Sequence, residues 1–94
     1  MAFYVYILTN KPYGTLYIGQ SDNLSRRLEQ HHSREISGFT KRYGLGTLVW
    51  YEMHETRESA CTRERHLKKW NRQWKINLIR ERNLMWRDLA FELV

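Results

Sequence analysis

A single cysteine, Cys61, stands in a chain of 94 residues. That excludes an intramolecular disulfide framework and a zinc module built on several thiolates. One proline and five glycines exclude collagen-like and low-complexity chains. No apolar run approaches the ~20 residues that a membrane-spanning helix needs. The opening MAFYVYILTN has no basic stretch ahead of its apolar residues, which argues against a secretory signal. No Gly-rich phosphate loop is present either, since GLG at 44–46 precedes a strand-like run and opens no helix. The histidines His31, His32, His54 and His66 match no zinc spacing. What these absences leave is a small, soluble, cytoplasmic domain over residues 1–94, with no membrane partner.

Hydrophobic residues make up 41% of the chain, with four Trp, six Tyr and three Phe among them, enough for a core. Sixteen Lys and Arg against ten Asp and Glu give a net charge of +6. The excess is local: Arg63–Arg87 holds nine basic and two acidic residues, and the rest of the chain is close to neutral. A basic C-terminal third on a neutral body suits either a polyanion-binding face or a solvated helix.

Residues 3–9, FYVYILT, are apolar or β-branched throughout and read as a strand covered on both sides. NKPYG at 10–14 is turn chemistry, and TLYIG at 15–19 completes a β-hairpin. A helix capped by Ser21 or Asp22 runs to about Arg34. A loop over 35–45 follows, with a short turn at Thr40–Tyr43, then a strand at 47–53. Thr56 caps a long helix to about Asn71, a third helix covers Gln73 to about Glu81, and a short element lies near Trp86–Leu89. The order β-β-α-β-α-α predicts an α+β fold, with a small, mainly antiparallel three-stranded sheet flanked by helices.

Three breaks in the pattern carry chemistry. In the long helix Ala60, Leu67 and Trp70 form an apolar stripe, and Glu64 lies on it. An inward carboxylate is costly unless it is paired or binds a cation. It is therefore a salt-bridge partner for an arginine, a metal ligand or a general acid/base. In the first helix Arg27 and His31 are one turn apart beside Leu24 and Leu28. Arg27 can fork onto a phosphate and His31 can move protons, or both are structural. Tyr6 and Tyr17 lie on paired strands, but a one-residue slip would put them on opposite faces. Lys68, Lys69, Arg72 and Lys75 form either a phosphate-tracking face or a solvated one. Trp70 and Trp74 suit packing better than base stacking.

The sequence resembles the GIY-YIG nuclease superfamily, in particular its short single-domain bacterial members. The resemblance rests on YVY at 4–6 with Ile7 and Leu8, on YIG at 17–19, and on QSDNLSRRLEQH at 20–31. It continues through GFTKRYG at 38–44, LVWYE at 48–52 and the run from Ala60 through Arg63-Glu64 to LKKW at 67–70. The resemblance implies a DNA-cleaving module using one divalent ion, Mg²⁺ or Mn²⁺. It implies that Tyr6 helps deprotonate the attacking water while Tyr17 assists, that Arg27 holds the scissile phosphate, that His31 takes the family's common histidine position, and that Glu64 binds the metal. The first half-motif departs from the family, with Tyr4 and Val5 where Gly and Ile stand, but Tyr6 is kept. A late family asparagine has two candidates here, Asn77 and Asn83.

The resulting expectation is a metal-dependent DNA endonuclease, structure-selective and linked to repair or recombination, with Lys68, Lys69, Arg72 and Lys75 on nucleic acid and a protein partner supplying specificity. Two alternatives stay open: a non-catalytic nucleic-acid-binding module, and a subunit docking through its Trp-rich C-terminal region.

Overall fold

The apolar run FYVYILT becomes β1 (Phe3–Thr9), the middle strand of an antiparallel sheet ordered β2-β1-β3. The computed structural model describes residues 2–32 and 46–93; the expected loop over 35–45 and the expected helix end at Arg34 lie outside the described residues. β2 is Leu16–Ser21, α1 Leu24–His32, β3 Thr47–His54, α2 Arg57–Lys69 and α3 Arg72–Arg82, followed by a short 3₁₀ turn at Leu89–Leu93. This is the α+β order β-β-α-β-α-α.

β1 reads as a continuous apolar run because both of its faces are covered. Its alternate residues divide between two cores. Val5 and Ile7 join Ile18 and Trp50 against α2 and α3, through Ala60, Leu67, Ile76 and Ile79. Tyr6 and Leu8 point the other way, onto Leu24 and Leu28 of α1 and Leu89 of the 3₁₀ turn. The β1–β3 register slips between Ile7, opposite Trp50, and Leu8, opposite Leu48. Val49 is the extra residue of this bulge, so it shares the core of Val5 and Ile7 with its neighbour Trp50.

Capping side chains move several boundaries. β2 pairs on to Ser21, which faces Tyr4, so neither Ser21 nor Asp22 can start the helix. Asn23 caps α1 instead, its Oδ1 accepting from the Arg26 N–H at 3.2 Å, while Ser21 Oγ accepts from the Asn23 N–H at 3.0 Å. Thr56 caps α2 as expected, accepting from the Ser59 N–H at 3.1 Å. The expected end of that helix at Asn71 is one element late. α2 stops at Lys69, Trp70 is extended, and Asn71 caps α3 by accepting from the Trp74 N–H at 2.9 Å. The expected short element at Trp86–Leu89 lies further on, because Trp86 is a left-handed turn residue with φ 56°.

The hairpin tip and the C-terminal segment lock together. Gly14 N–H donates to the Lys11 carbonyl at 2.9 Å, closing a turn through Pro12 and Tyr13. Tyr13 has φ 58°, in the left-handed region that costs a side chain about 1–2 kcal/mol. The ring of Tyr13 lies 4.7 Å from that of Trp86, which is the other non-glycine residue at positive φ among the described residues. Stacking at the contact offsets strain at both turns.

The outer edge of β3 is engaged by side chains. Asp88 Oδ1 accepts from the Leu48 N–H at 3.3 Å, Asn83 Nδ2 donates to the Val49 carbonyl at 3.0 Å, and Arg82 donates to the Tyr51 carbonyl. Buried Asn83 also exchanges two bonds with the Arg87 backbone, at 2.8 and 3.0 Å. The three bonds of the Asn83 side chain are each worth about 1 kcal/mol net. Asn83→Ala is therefore expected to cost about 2–3 kcal/mol and lower Tm by about 10–20 °C. Exposed Asn77→Ala stays within about 0.5 kcal/mol of wild type. Thermal denaturation of the two variants checks this; equal Tm values would show that the Asn83 bonds are not formed in solution.

Candidate active site

Register decides which side chains meet. Tyr6 lies opposite Gly19, and Tyr17 lies opposite Leu8. Residues two apart on a strand share a face, so both tyrosines look toward α1, their ring centroids 6.4 Å apart. The motif glycine follows from this geometry. A Cβ on Gly19 would stand 2.6 Å from the Tyr6 hydroxyl, 2.7 Å from its Cζ and 3.1 Å from Tyr17 Cε1. The phenol of Tyr6 occupies the place a side chain would take.

α1 supplies the next two groups, one turn apart as the sequence spacing requires. His31 is buried, with Nε2 3.4 Å from the Tyr6 hydroxyl and its ring centroid 5.4 Å from that of Tyr17. Arg27 is half-buried, and its guanidinium favours the ionised form of the Tyr6 hydroxyl. Its Nη1 also donates to Gln30 Oε1 at 3.3 Å. Arg27 Nε is buried without an acceptor among the described residues, and Gln20 Oε1 is buried without a donor. Both residues line a cleft of about 330 Å³, which Arg26 and Arg57 share.

Glu64 arrives from α2, which packs across β1 and β2. Ala60 and Leu67 of its stripe are fully buried, while the Glu64 side chain is 19% exposed. Its charge reaches the Tyr6 hydroxyl. The partner of Glu64 is the Lys68 ammonium at 3.3 Å, a lysine rather than the arginine expected of a paired carboxylate.

The Tyr6 phenol is pushed up to about 12, first by burial and then by the Tyr17 hydroxyl, with Arg27 pulling it down and Glu64 adding to the rise. At neutral pH Tyr6 therefore holds its proton. The neutral form is favoured by folding, so its contribution to stability is complete below pH about 10 and is lost as pH rises through about 12. Two units correspond to about 2–3 kcal/mol. Wild type is expected to lose that much relative to Tyr6→Phe between pH 10 and 12, read from denaturant midpoints. Parallel loss in both proteins would place the phenol in water.

Among the described residues no three His, Cys, Asp or Glu side chains converge as a metal cage. A lone carboxylate does not fit zinc. It does fit a hard divalent ion that keeps most of its waters and takes its remaining ligands from a phosphate.

Two of the four basic residues expected on nucleic acid already hold partners within the chain. Lys68 sits on Glu64. Arg72 Nη2 donates to the carbonyls of Tyr13 and Gly14 at 2.5 and 2.6 Å, clamping the hairpin tip. Lys69 is exposed and Lys75 half-buried on the following helix. Arg63, in the same basic stretch, holds Glu52 at 3.1 Å and covers Trp70 at 5.4 Å. The late asparagines are structural: Asn83 is consumed by the β3 edge, and Asn77 accepts from Gln73 at 2.9 Å. Trp86 is buried and Trp74 is 55% exposed, its ring edge-on to the half-buried Trp70 at 5.9 Å. Gln20, Arg26 and Arg57 line the same cleft as Arg27, and in the sequence only the polar string QSDN leading toward Arg26-Arg27 marks it.

A family model described as the GIY-YIG catalytic domain matches residues 2–77. Proteins named UPF0213 protein from Staphylococcus aureus strains Mu3 and N315 are each 38% identical over 69 residues, covering 73% of this chain and 84% of the relative. The solution NMR structure of a UPF0213 protein from Bacillus halodurans is similar at a TM-score of 0.60 and 28% identity, covering 94% of this chain and 93% of that one. Among the described residues no helix is long and apolar enough to cross a membrane.

Proposed function

The chain belongs to the GIY-YIG catalytic domain family, a nuclease family, and from that membership we propose that it is a divalent-metal-dependent endonuclease hydrolysing DNA phosphodiester bonds. The observation that carries this reading is the meeting of Tyr6, Tyr17 and His31, from β1, β2 and α1, over Gly19, with the charges of Arg27 and Glu64 acting on the same phenol.

Arg27 takes the scissile phosphate, forking onto its non-bridging oxygens. Tyr6 and His31, 3.4 Å apart, act as a relay. The attacking water passes a proton to the Tyr6 oxygen as the phenol proton moves to His31 Nε2, so a phenol held near 12 need never be a free phenolate. The water oxygen bonds to phosphorus, the bond to the leaving oxygen breaks, and that oxygen regains a proton from solvent. Tyr17 holds the His31 ring in place. Glu64 would hold Mg²⁺ or Mn²⁺, which when bound supplies charge stabilisation at the leaving oxygen.

The test is incubation with supercoiled plasmid, single strands, flaps and four-way junctions, with Mg²⁺, Mn²⁺ or EDTA. Metal-dependent nicking that EDTA abolishes is the expected result, and preference for a branched substrate would place the protein in repair or recombination. Binding without cleavage under every metal would sink the enzymatic reading in favour of a non-catalytic module. Exposed Trp74 beside Trp70 favours a second use of the same fold, with a protein partner docked on α3.

A further inference from the structure

We propose that the cleft beside Arg27 is a second phosphate subsite, which seats the nucleic-acid strand adjoining the scissile phosphate. The proposal rests on the nuclease reading and assigns the strand a path that the sequence did not suggest.

The cleft lies where the end of β2 and the start of α1 face the start of α2. Its wall carries Arg26, Arg27 and Arg57 against one carboxylate, Asp22. Arg57 is steadied from two sides: its guanidinium lies 4.9 Å from the centroid of the Phe3 ring, and Nη2 is 3.5 Å from Asp22 Oδ2. That contact with Asp22 is long and solvent-exposed, so a phosphate displaces it at little cost. The cation is thus in position with a weak partner, as suits a site that exchanges a carboxylate for a phosphate.

The second observation is a pair of unmet atoms. Arg27 Nε is a buried donor and Gln20 Oε1 a buried acceptor, and neither has a partner among the described residues. Both belong to residues that line this cleft. Buried polar groups are rarely left unpaired. A phosphodiester oxygen satisfies the Arg27 donor, and an ordered water on that phosphate satisfies Gln20. Arg27 belongs both to the candidate active site and to the cleft, so a strand gripped there continues between Arg26 and Arg57. The rival path along the C-terminal basic stretch is weakened by Lys68 on Glu64 and Arg72 on the hairpin tip.

The experiment measures binding of a labelled single-stranded DNA oligonucleotide to the full chain by fluorescence anisotropy in EDTA, from about 50 to about 200 mM salt. Wild type is compared with Arg26→Gln, Arg57→Gln, Asp22→Asn and the pair Lys69→Gln and Lys75→Gln. Each arginine variant is expected to weaken binding about three- to tenfold and to flatten the log–log salt slope by about 0.7, the loss of one phosphate contact on a single strand. Asp22→Asn is expected to tighten binding about threefold, a gain that misfolding cannot produce. Unchanged affinity in Arg26→Gln and Arg57→Gln while wild type binds and cuts overturns the subsite alone. So does a loss confined to the lysine variants, or an Asp22→Asn protein that binds no tighter. Wild type that neither binds nor cuts overturns the nuclease reading, and the subsite with it.

Discussion

Glu64→Gln is expected to lower metal-dependent cleavage by about 10³-fold, equivalent to several kcal/mol of lost transition-state stabilisation. The magnitude follows from the composition of the site. Among the described residues no three acidic, imidazole or thiol side chains gather as a metal cage, so the site has few groups with which to make good the lost carboxylate. The isosteric amide keeps the packing of α2 beside β2. Among the described residues its one lost ion pair is that with Lys68, whose side chain is 56% exposed, and such contacts add little to stability. Wild-type and variant proteins should therefore unfold at nearly the same temperature while differing in rate. Lys68→Gln gives the complementary result: with no ammonium at 3.3 Å, Glu64 is freed and half-maximal activity is reached at lower Mg²⁺. Single-turnover rates across a metal titration read both effects. A Glu64→Gln protein that cuts at the wild-type rate would remove Glu64 from the site and return it to the role of a helix salt bridge.

Gly19→Ala is the second large effect, and its sign is the informative part. In most strands alanine is favoured over glycine, because glycine loses more conformational freedom on folding. Here the new Cβ would stand 2.6 Å from the Tyr6 hydroxyl and 2.7 Å from its Cζ. Tyr6 is fully buried on the central strand, so its ring can give way only by pushing on its neighbours. Overpacking of this kind costs about 1–3 kcal/mol. A shift of about 1 Å in the phenol also breaks its approach to His31, and a misplacement of that size costs about 10²-fold in rate. Chemical denaturation and single-turnover cleavage measure the two losses separately. A more stable Gly19→Ala protein would mean that Tyr6 does not lie over the glycine.

Local chemistry was legible in the sequence. The unbroken apolar run of β1, the NKPYG turn and Thr56 as a cap each act within a few residues. The stripe through Ala60 and Leu67 also gave the inward side of Glu64, because helical period alone sets it. Register was not legible. Nothing short of three dimensions places Tyr6 opposite Gly19, and the extra residue at Val49 changes the parity of β3 with no signal in composition. Charge counting cannot assign partners, for a related reason. Lys68 and Arg72 look alike in a basic stretch, yet one holds a carboxylate a helical turn away and the other holds carbonyls 58 and 59 residues distant. Asn23 and Asn71 were missed as caps because stronger-looking neighbours stood beside them. The cleft arginines were missed because Arg26 and Arg57 are remote in sequence and are joined only where β2 ends.

The match to the family stops at residue 77, but the rim of the sheet is finished by side chains beyond that point. Arg82, Asn83 and Asp88 occupy backbone groups of β3 that would otherwise offer themselves to another strand. The portion matched by the family model and the portion that completes the β3 edge are therefore different lengths. Residues 2–77 transplanted onto another protein would lose these three bonds to β3. The residues from Arg82 onward thus close the β3 side of the sheet with side chains, while β2, the strand that bears the YIG motif, forms its other edge.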